Sequence, residues 1–245
     1  MTGPSHGGGV AAALGCSAEG RARQSMGRSD RAIYSAVARS LAARGACGGL
    51  LADVGCGGGG LRPFLARSFR RHVGIDLVRY EELPDGVEFR CADLNREPLP
   101  LDDACADAVV SVETVEHLEN PRAFVRELVR VARPGGWVVV TTPNQTSALS
   151  LLTLVAKGRF SAFQDAHYPA HVTALLAVDL QRIAAECGLE EVALEYTGQG
   201  RVVFTRWHYP RPLALLLPRL CSDNLLLIGK KSPPRREPPR APESL

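Results

Sequence analysis

The feature that most limits what this chain can become is the stretch Asp53-Val-Gly55-Cys-Gly57-Gly-Gly59-Gly60, in which five of the six residues from 55 to 60 are glycine. The apolar run Leu50-Leu-Ala-Asp-Val54 before it has the pattern of a buried strand, and the residues after it predict a helix through Phe64 and Phe69. A glycine turn between strand and helix lets the backbone come close to a ligand at the carboxyl end of the strand. Gly55, Gly57 and Gly60 fit a dinucleotide-binding loop, with Asp76 at about the spacing of an acidic ribose ligand. Asp53-x-Gly55-x-Gly57-x-Gly59 fits a nucleoside-binding loop equally well. A phosphate-cradling loop is excluded, because Leu61-Arg62 stands where Lys-Ser/Thr is required.

The rest of the body alternates in the same way. Ser29 or Asp30 caps a helix with apolar positions at Ile33, Val37 and Leu41. His72 to Asp76, Val87 to Cys91, Ala108 to Val112 and Trp137 to Thr141 read as further strands, the last entered through a Gly135-Gly136 turn. Helices are expected from Pro121 to Ala132, Ser147 to Ala156 and Val178 to Cys187, then strands near Glu191 to Tyr196 and Asn224 to Ile228. This order predicts an α/β fold: a seven-stranded, mostly parallel, Rossmann-like sheet with helices on both faces. The last two strands lack an intervening helix, so they are expected to pair antiparallel. Residues 1–29 read as a flexible leader, 30–229 as the folded domain with insertions at about 145–175 and 197–219, and 230–245 as a disordered proline-rich basic tail.

The formal charge of +3 suggests a nucleic-acid partner until it is divided along the chain. The leader and tail together hold +5 and the body −2, so the basicity belongs to the ends and nucleic acid is not expected as a partner. The seven cysteines form no Cys-x-x-Cys pair, which argues against a zinc ribbon or a disulfide framework and predicts a reduced, cytoplasmic setting. No apolar run reaches the roughly 20 residues that span a bilayer, and no secretory signal is expected at the N-terminus.

From Asp53 to Asn144 the sequence resembles the class I S-adenosylmethionine-dependent methyltransferases. The matching segments are Ala52-Asp-Val-Gly-Cys-Gly-Gly-Gly59, Gly74-Ile-Asp76, Ala92-Asp-Leu94, Glu113-Thr-Val-Glu-His-Leu118, Arg133-Pro-Gly-Gly136 and Thr142-Pro-Asn144. The Glu-His-Leu and Arg-Pro-Gly-Gly pair would not be expected in a nicotinamide-dependent oxidoreductase, the competing reading of the glycine loop. The resemblance implies S-adenosylmethionine as cofactor. Asp76 would accept hydrogen bonds from both ribose hydroxyls, with Leu77 beside it. Asp93 would face the adenine amino group, with Leu94 as a backbone donor and apolar wall. Asp53, Gly55, Cys56, Gly57 and Gly59 would shape the loop around the methionine part, and Glu113 and Thr114 would lie near the sulfonium.

An oxygen acceptor also needs a base, and His167 and His171 fall where this superfamily places acceptor-binding elements. Phe160, Phe163 and Tyr168 would supply an aromatic wall, with Lys157 and Arg159 as anion contacts. Glu113, Glu116 and His117 stand at i, i+3 and i+4, so one helical turn would gather them with His171 or His167 around a divalent ion. Similar sets occur in metal-using ubiquinone-pathway O-methyltransferases and in small-RNA 3′-terminal 2′-O-methyltransferases. Metal-free relatives share the Glu-His-Leu segment, and the expected site contains no metal. The sequence therefore predicts methyl transfer to a small-molecule acceptor, at oxygen, by a protein free to oligomerise. The alternatives are an RNA 2′-O-methyltransferase using a divalent metal and a nicotinamide-dependent oxidoreductase.

Overall fold

The computed structural model describes residues 20, 22, 27–203 and 205–233. Most of the expected leader and the tail from residue 234 onward lie outside the described residues. Seven strands form one sheet: β1 (Gly48–Val54), β2 (Phe69–Asp76), β3 (Val87–Cys91), β4 (Ala106–Ser111), β5 (Ala132–Pro143), β6 (Leu189–Tyr196) and β7 (Asn224–Lys231). Their order is β3-β2-β1-β4-β5-β7-β6. The first five run parallel, while β7 is antiparallel to both β5 and β6, so the expected Rossmann-like mixed sheet is present.

The central strands are buried on both faces, and their side chains alternate between two cores. On β5, Val138 and Val140 join one core while Trp137 and Val139 join the other. Helix α1 (Arg31–Ala43) places Ile33, Val37 and Leu41 on one face, and Asp30 caps it by accepting from Ala32 N at 2.8 Å. On the opposite face α3 (Pro121–Val131) packs Phe124, Val125 and Leu128 with Leu180 and Ile183 of α5 (Ala177–Glu186). Leu128 and Ile183 are fully buried, and each such side chain contributes roughly 1.5–3 kcal/mol through burial.

Several boundaries differ from the sequence reading: β5 begins at Ala132, so the expected Gly135-Gly136 turn lies within it, and the short helix Arg211–Leu216 stands between β6 and β7 where none was expected. The helix expected through Phe64 and Phe69 is only the four-residue α2 (Arg62–Leu65), and Phe69 opens β2 instead. Phe69 and His72 point inward while Arg70 and Arg71 are exposed, which suits a strand entering the sheet. At the other end β7 takes in Lys230 and Lys231, the first residues of the expected tail. Lys231 Nζ donates to the carbonyls of Arg130 and Ala132 at 3.2 and 2.8 Å, and Lys230 reaches Glu191 at 3.1 Å. After β5 come α4 (Ala148–Lys157) and a 3-10 turn at Asp165–His167; α6 (Arg211–Leu216) lies between β6 and β7.

Candidate functional site

The carboxyl ends of β1, β2 and β4 open on a cavity of about 350 Å³. Its volume lies within the range of small-molecule sites. The glycine loop forms one wall. Gly55 holds φ +75°, and a Cβ there would lie 2.1 Å from Thr114 Oγ1, so only glycine lets the two segments close together. Gly57 donates its N–H to Asp76 Oδ2 at 2.9 Å, and Val78 N donates to Asp76 Oδ1 at 3.3 Å. The Asp76 carboxylate is thereby fixed at the cavity edge. Burial raises its pKa, and the backbone donors partly offset the rise.

Other expected residues line the same cavity, namely Asp53, Gly55, Cys56, Leu77, Asp93, Leu94, Glu113 and His171. Asp53 is 2% exposed, with Oδ2 3.3 Å from His72 Nε2. Burial pushes the Cys56 thiol up, so it stays protonated. The Asp93 carboxylate is partly engaged, since Oδ1 accepts from Asn95 N at 3.0 Å. Gly57 and Gly59 do not line the cavity. A Cβ on Gly57 would meet the Gly27 carbonyl oxygen at 2.1 Å, and one on Gly59 would meet Pro84 at 2.5 Å. These two glycines shape the loop from behind.

The residues after β4 depart from the expected single helical turn. Glu113 adopts φ +50°, and the 3-10 turn Val115–His117 begins only after it. Its carboxylate accepts from Thr141 Oγ1 at 3.0 Å and Asn224 Nδ2 at 2.7 Å, and burial raises its pKa to about 7. Glu113 is therefore held by Thr141 and Asn224 and is not among the groups whose donor atoms converge. Glu116, His117 and His171 do converge, with donor atoms all within 4.8 Å of one another. Glu116 Oε2 accepts from Thr142 Oγ1 at 3.1 Å, while Oε1 has no hydrogen-bond partner. Burial and the nearby Glu113 carboxylate raise its pKa well above the usual range.

The loop carrying His171 is pinned to this turn. Val172 N and Thr173 N both donate to the Glu116 carbonyl, at 2.9 and 3.0 Å. His171 Nδ1 lies 2.7 Å from the Ala162 carbonyl and His117 Nδ1 lies 2.9 Å from that of Ala170. The Ala162 carbonyl requires the His171 proton on Nδ1, which leaves Nε2 with the lone pair. Burial and the flanking His117 and His167 lower the His171 pKa to about 4, so the ring is neutral at neutral pH. His167, expected beside it as a second base, stands behind it. Its ring stacks on His171 at 5.4 Å and its Nδ1 accepts from Gln164 N at 3.2 Å, closing its own turn. Of the expected aromatic wall, Phe163 touches His171 at 5.5 Å, whereas Tyr168 is largely exposed. Arg159 is paired with Asp165.

A methyltransferase domain family matches residues 52–140, the span that includes the glycine loop, Asp76, Asp93 and the Glu113-to-His117 turn. Residues 52–140 thus carry a methyltransferase domain. A probable S-adenosylmethionine-dependent methyltransferase of Mycolicibacterium smegmatis is 30% identical over 167 residues, covering 66% of this chain and 58% of that protein. A ubiquinone biosynthesis O-methyltransferase of Chromobacterium violaceum is 34% identical over 112 residues, covering 42% of this chain and 48% of that protein. The chain thus spans about half the length of these curated relatives. In fold it is similar to a solved structure from Thermotoga maritima titled as a possible histamine N-methyltransferase. The TM-score is 0.60 at 16% identity, over 86% of this chain and 91% of that one.

The methyltransferase domain also uses residues that the sequence reading assigned to a leader. Gly27, Arg28 and Ser29 line the cavity beside Asp30 and Tyr34 of the expected domain. Gly58 N donates to the Gly27 carbonyl at 3.0 Å, Ser29 N donates to Tyr34 Oη at 3.0 Å, and Arg28 pairs with Glu82 at 2.5 Å. Gly60 lets the loop close on this segment, since a Cβ there would strike Tyr34 Oη at 2.6 Å.

Proposed function

We propose that the protein binds S-adenosylmethionine in this cavity and passes the methyl group to an oxygen of a small-molecule acceptor. The observation carrying the reading is that one cavity joins a backbone-fixed carboxylate, Asp76, to a neutral imidazole, His171. The donor set suits the cofactor: a carboxylate accepts from a vicinal diol, and Leu77 and Leu94 offer apolar walls to a purine. When bound, the cofactor would supply a methyl group activated by a sulfonium, whose sulfur would be the leaving group as a thioether.

What remains for the protein is alignment, exclusion of water and removal of one proton. The glycine loop and Thr114 hold the backbone beside the cavity. His171 Nε2 takes the acceptor proton while Nδ1 stays bonded to the Ala162 carbonyl. The small-molecule acceptor is supported by the ubiquinone biosynthesis O-methyltransferase match and by the slightly acidic body of the chain. The test is labelled S-adenosylmethionine incubated with the protein and a metabolite extract, with labelled products identified by mass spectrometry. A small product labelled at oxygen is expected; transfer only to RNA, or none, would overturn the reading.

A second reading rests on the convergence of Glu116, His117 and His171. Two imidazoles and a carboxylate with one unpartnered oxygen suit a divalent ion that orients and acidifies an acceptor hydroxyl. Elemental analysis of the purified protein and assay in chelator distinguish the two readings. Activity indifferent to chelator, with no ion retained, leaves the base mechanism alone.

A further inference from the structure

Helix α4 is folded with its faces reversed from what its composition suggests. Among Ala148 to Lys157 the buried residue is Ser150, while Leu151, Leu152 and Val155 are 40%, 39% and 85% exposed. Helix α6 behaves alike, with Ala214 buried and Leu215 and Leu216 82% and 75% exposed. The two helices adjoin. Ala148 N donates to the Leu220 carbonyl at 2.9 Å, and a shallow groove is lined by Leu151, Leu216, Leu217 and Leu220. Trp207, 78% exposed, sits just before α6 on a short turn closed by Val202 N donating to its carbonyl at 2.8 Å. An exposed apolar groove of this kind, with further exposed apolar side chains on the segments that form it, marks an interaction site.

Charge decides its partner. Residues 144–164 and 197–222 contain six Lys and Arg and no Asp or Glu, although the body as a whole is slightly acidic. Arg159 and Arg201 are neutralised by Asp165 and Asp223. Lys157, Arg206, Arg211 and Arg219 have no carboxylate partner among the described residues and are exposed around the leucines. A second copy of the chain docking face to face would oppose these cations to each other. A nucleic acid would bring phosphates but would leave the leucines without apolar cover.

We propose that α4, α6 and the Trp207 turn form a surface that docks on an anionic lipid bilayer. The leucines and valine enter the acyl boundary, Trp207 lies at headgroup level, and the four cations meet lipid phosphates. The surface flanks the cavity edge: α4 follows directly on β5, and β7 begins at Asn224, which donates to Glu113. No helix among the described residues is long and apolar enough to cross a membrane, in keeping with a protein lying on the surface.

The test is flotation of the full chain with vesicles of equal parts phosphatidylcholine and phosphatidylglycerol, beside pure phosphatidylcholine. Binding to the mixed vesicles is expected, weaker at high salt and at least about tenfold weaker on pure phosphatidylcholine. The double variant Leu215→Glu/Leu216→Glu is expected to lose at least about tenfold, and so is Arg206→Glu/Arg211→Glu. Both pairs are exposed, and unchanged thermal unfolding checks that the fold is intact. The proposal is overturned by absence of vesicle binding or by a leucine variant that binds as well as wild type. The second result would place binding in another basic segment. It is also overturned if light scattering shows a dimer that the leucine variant splits without vesicle binding, or if a single-stranded RNA oligonucleotide binds and vesicles do not.

Discussion

Replacing Gly55 by alanine probes the contact that closes the glycine loop on the turn after β4. The substitution puts a Cβ on a backbone at φ +75° and within 2.1 Å of Thr114 Oγ1 and 2.6 Å of its Cγ2. The left-handed conformation costs an alanine about 1–2 kcal/mol, and relieving the overlap costs about 1–3 kcal/mol more. Gly55→Ala is therefore expected to destabilise by roughly 2–5 kcal/mol. Thr114→Ala alone loses a hydroxyl that donates to the Val112 carbonyl at 3.1 Å, and one methyl, together about 2 kcal/mol. In the double variant the overlaps with Oγ1 and Cγ2 are gone, and what remains is the backbone cost, the threonine loss and the 2.9 Å approach of the new Cβ to the Cβ of residue 114. Urea unfolding of the four proteins should show the double variant about 1–3 kcal/mol more stable than the sum of the single losses. Single effects that add to within about 0.5 kcal/mol would refute the contact and the loop closure derived from it.

Further outcomes follow from the same geometry. Glu113 titrates near 4.5 in the unfolded chain and near 7 when folded, so the folded state holds more protons between those values. Its contribution to stability falls as pH rises through that window, and Glu113→Gln should reduce the fall in urea midpoints between its two ends, leaving the part that Glu116 and Asp76 contribute. His171→Ala is expected to lower the methyl-transfer rate about 10²–10⁴-fold, whereas His167→Ala should cost less than about tenfold; equal losses would contradict the placement of His167 behind the base. In native protein, iodoacetamide should label exposed Cys47 and Cys91 well before buried Cys56, as read by peptide mass spectrometry.

Much of the sheet was legible because buried parallel strands read as apolar runs. Val87–Cys91 was bounded as expected, and the antiparallel end is present, although the premise that no helix lies between its two strands fails, since α6 stands before Asn224. Asp76 and Gly55 were legible because their chemistry is set by local spacing along one strand–turn–helix unit. Phe69 misled because an aromatic beyond a short helix has the same spacing as a helical position, and sheet register decided it. Glu113 misled because the i, i+3, i+4 argument assumes helical backbone, and the bonds from Thr141 and Asn224 that hold its left-handed turn come from distant strands. The Gly27–Gly58 and Ser29–Tyr34 contacts were not read because a glycine-rich leader shows no period. On α4 the sequence predicted a helix from Ser147 to Ala156 without assigning its buried face, and Ser150, which donates inward to Gln145 and accepts from Ser161, sets the orientation.

The central claim is that Asp76, held by the glycine loop, anchors a nucleoside-containing cofactor. Calorimetric titration of S-adenosylmethionine into wild type and Asp76→Ala tests it most directly. Two hydrogen bonds to a carboxylate contribute about 1.5–3 kcal/mol each, so the variant should bind at least roughly a hundredfold more weakly. Wild-type protein that gives no binding heat, or a variant that binds as well as wild type, would contradict it.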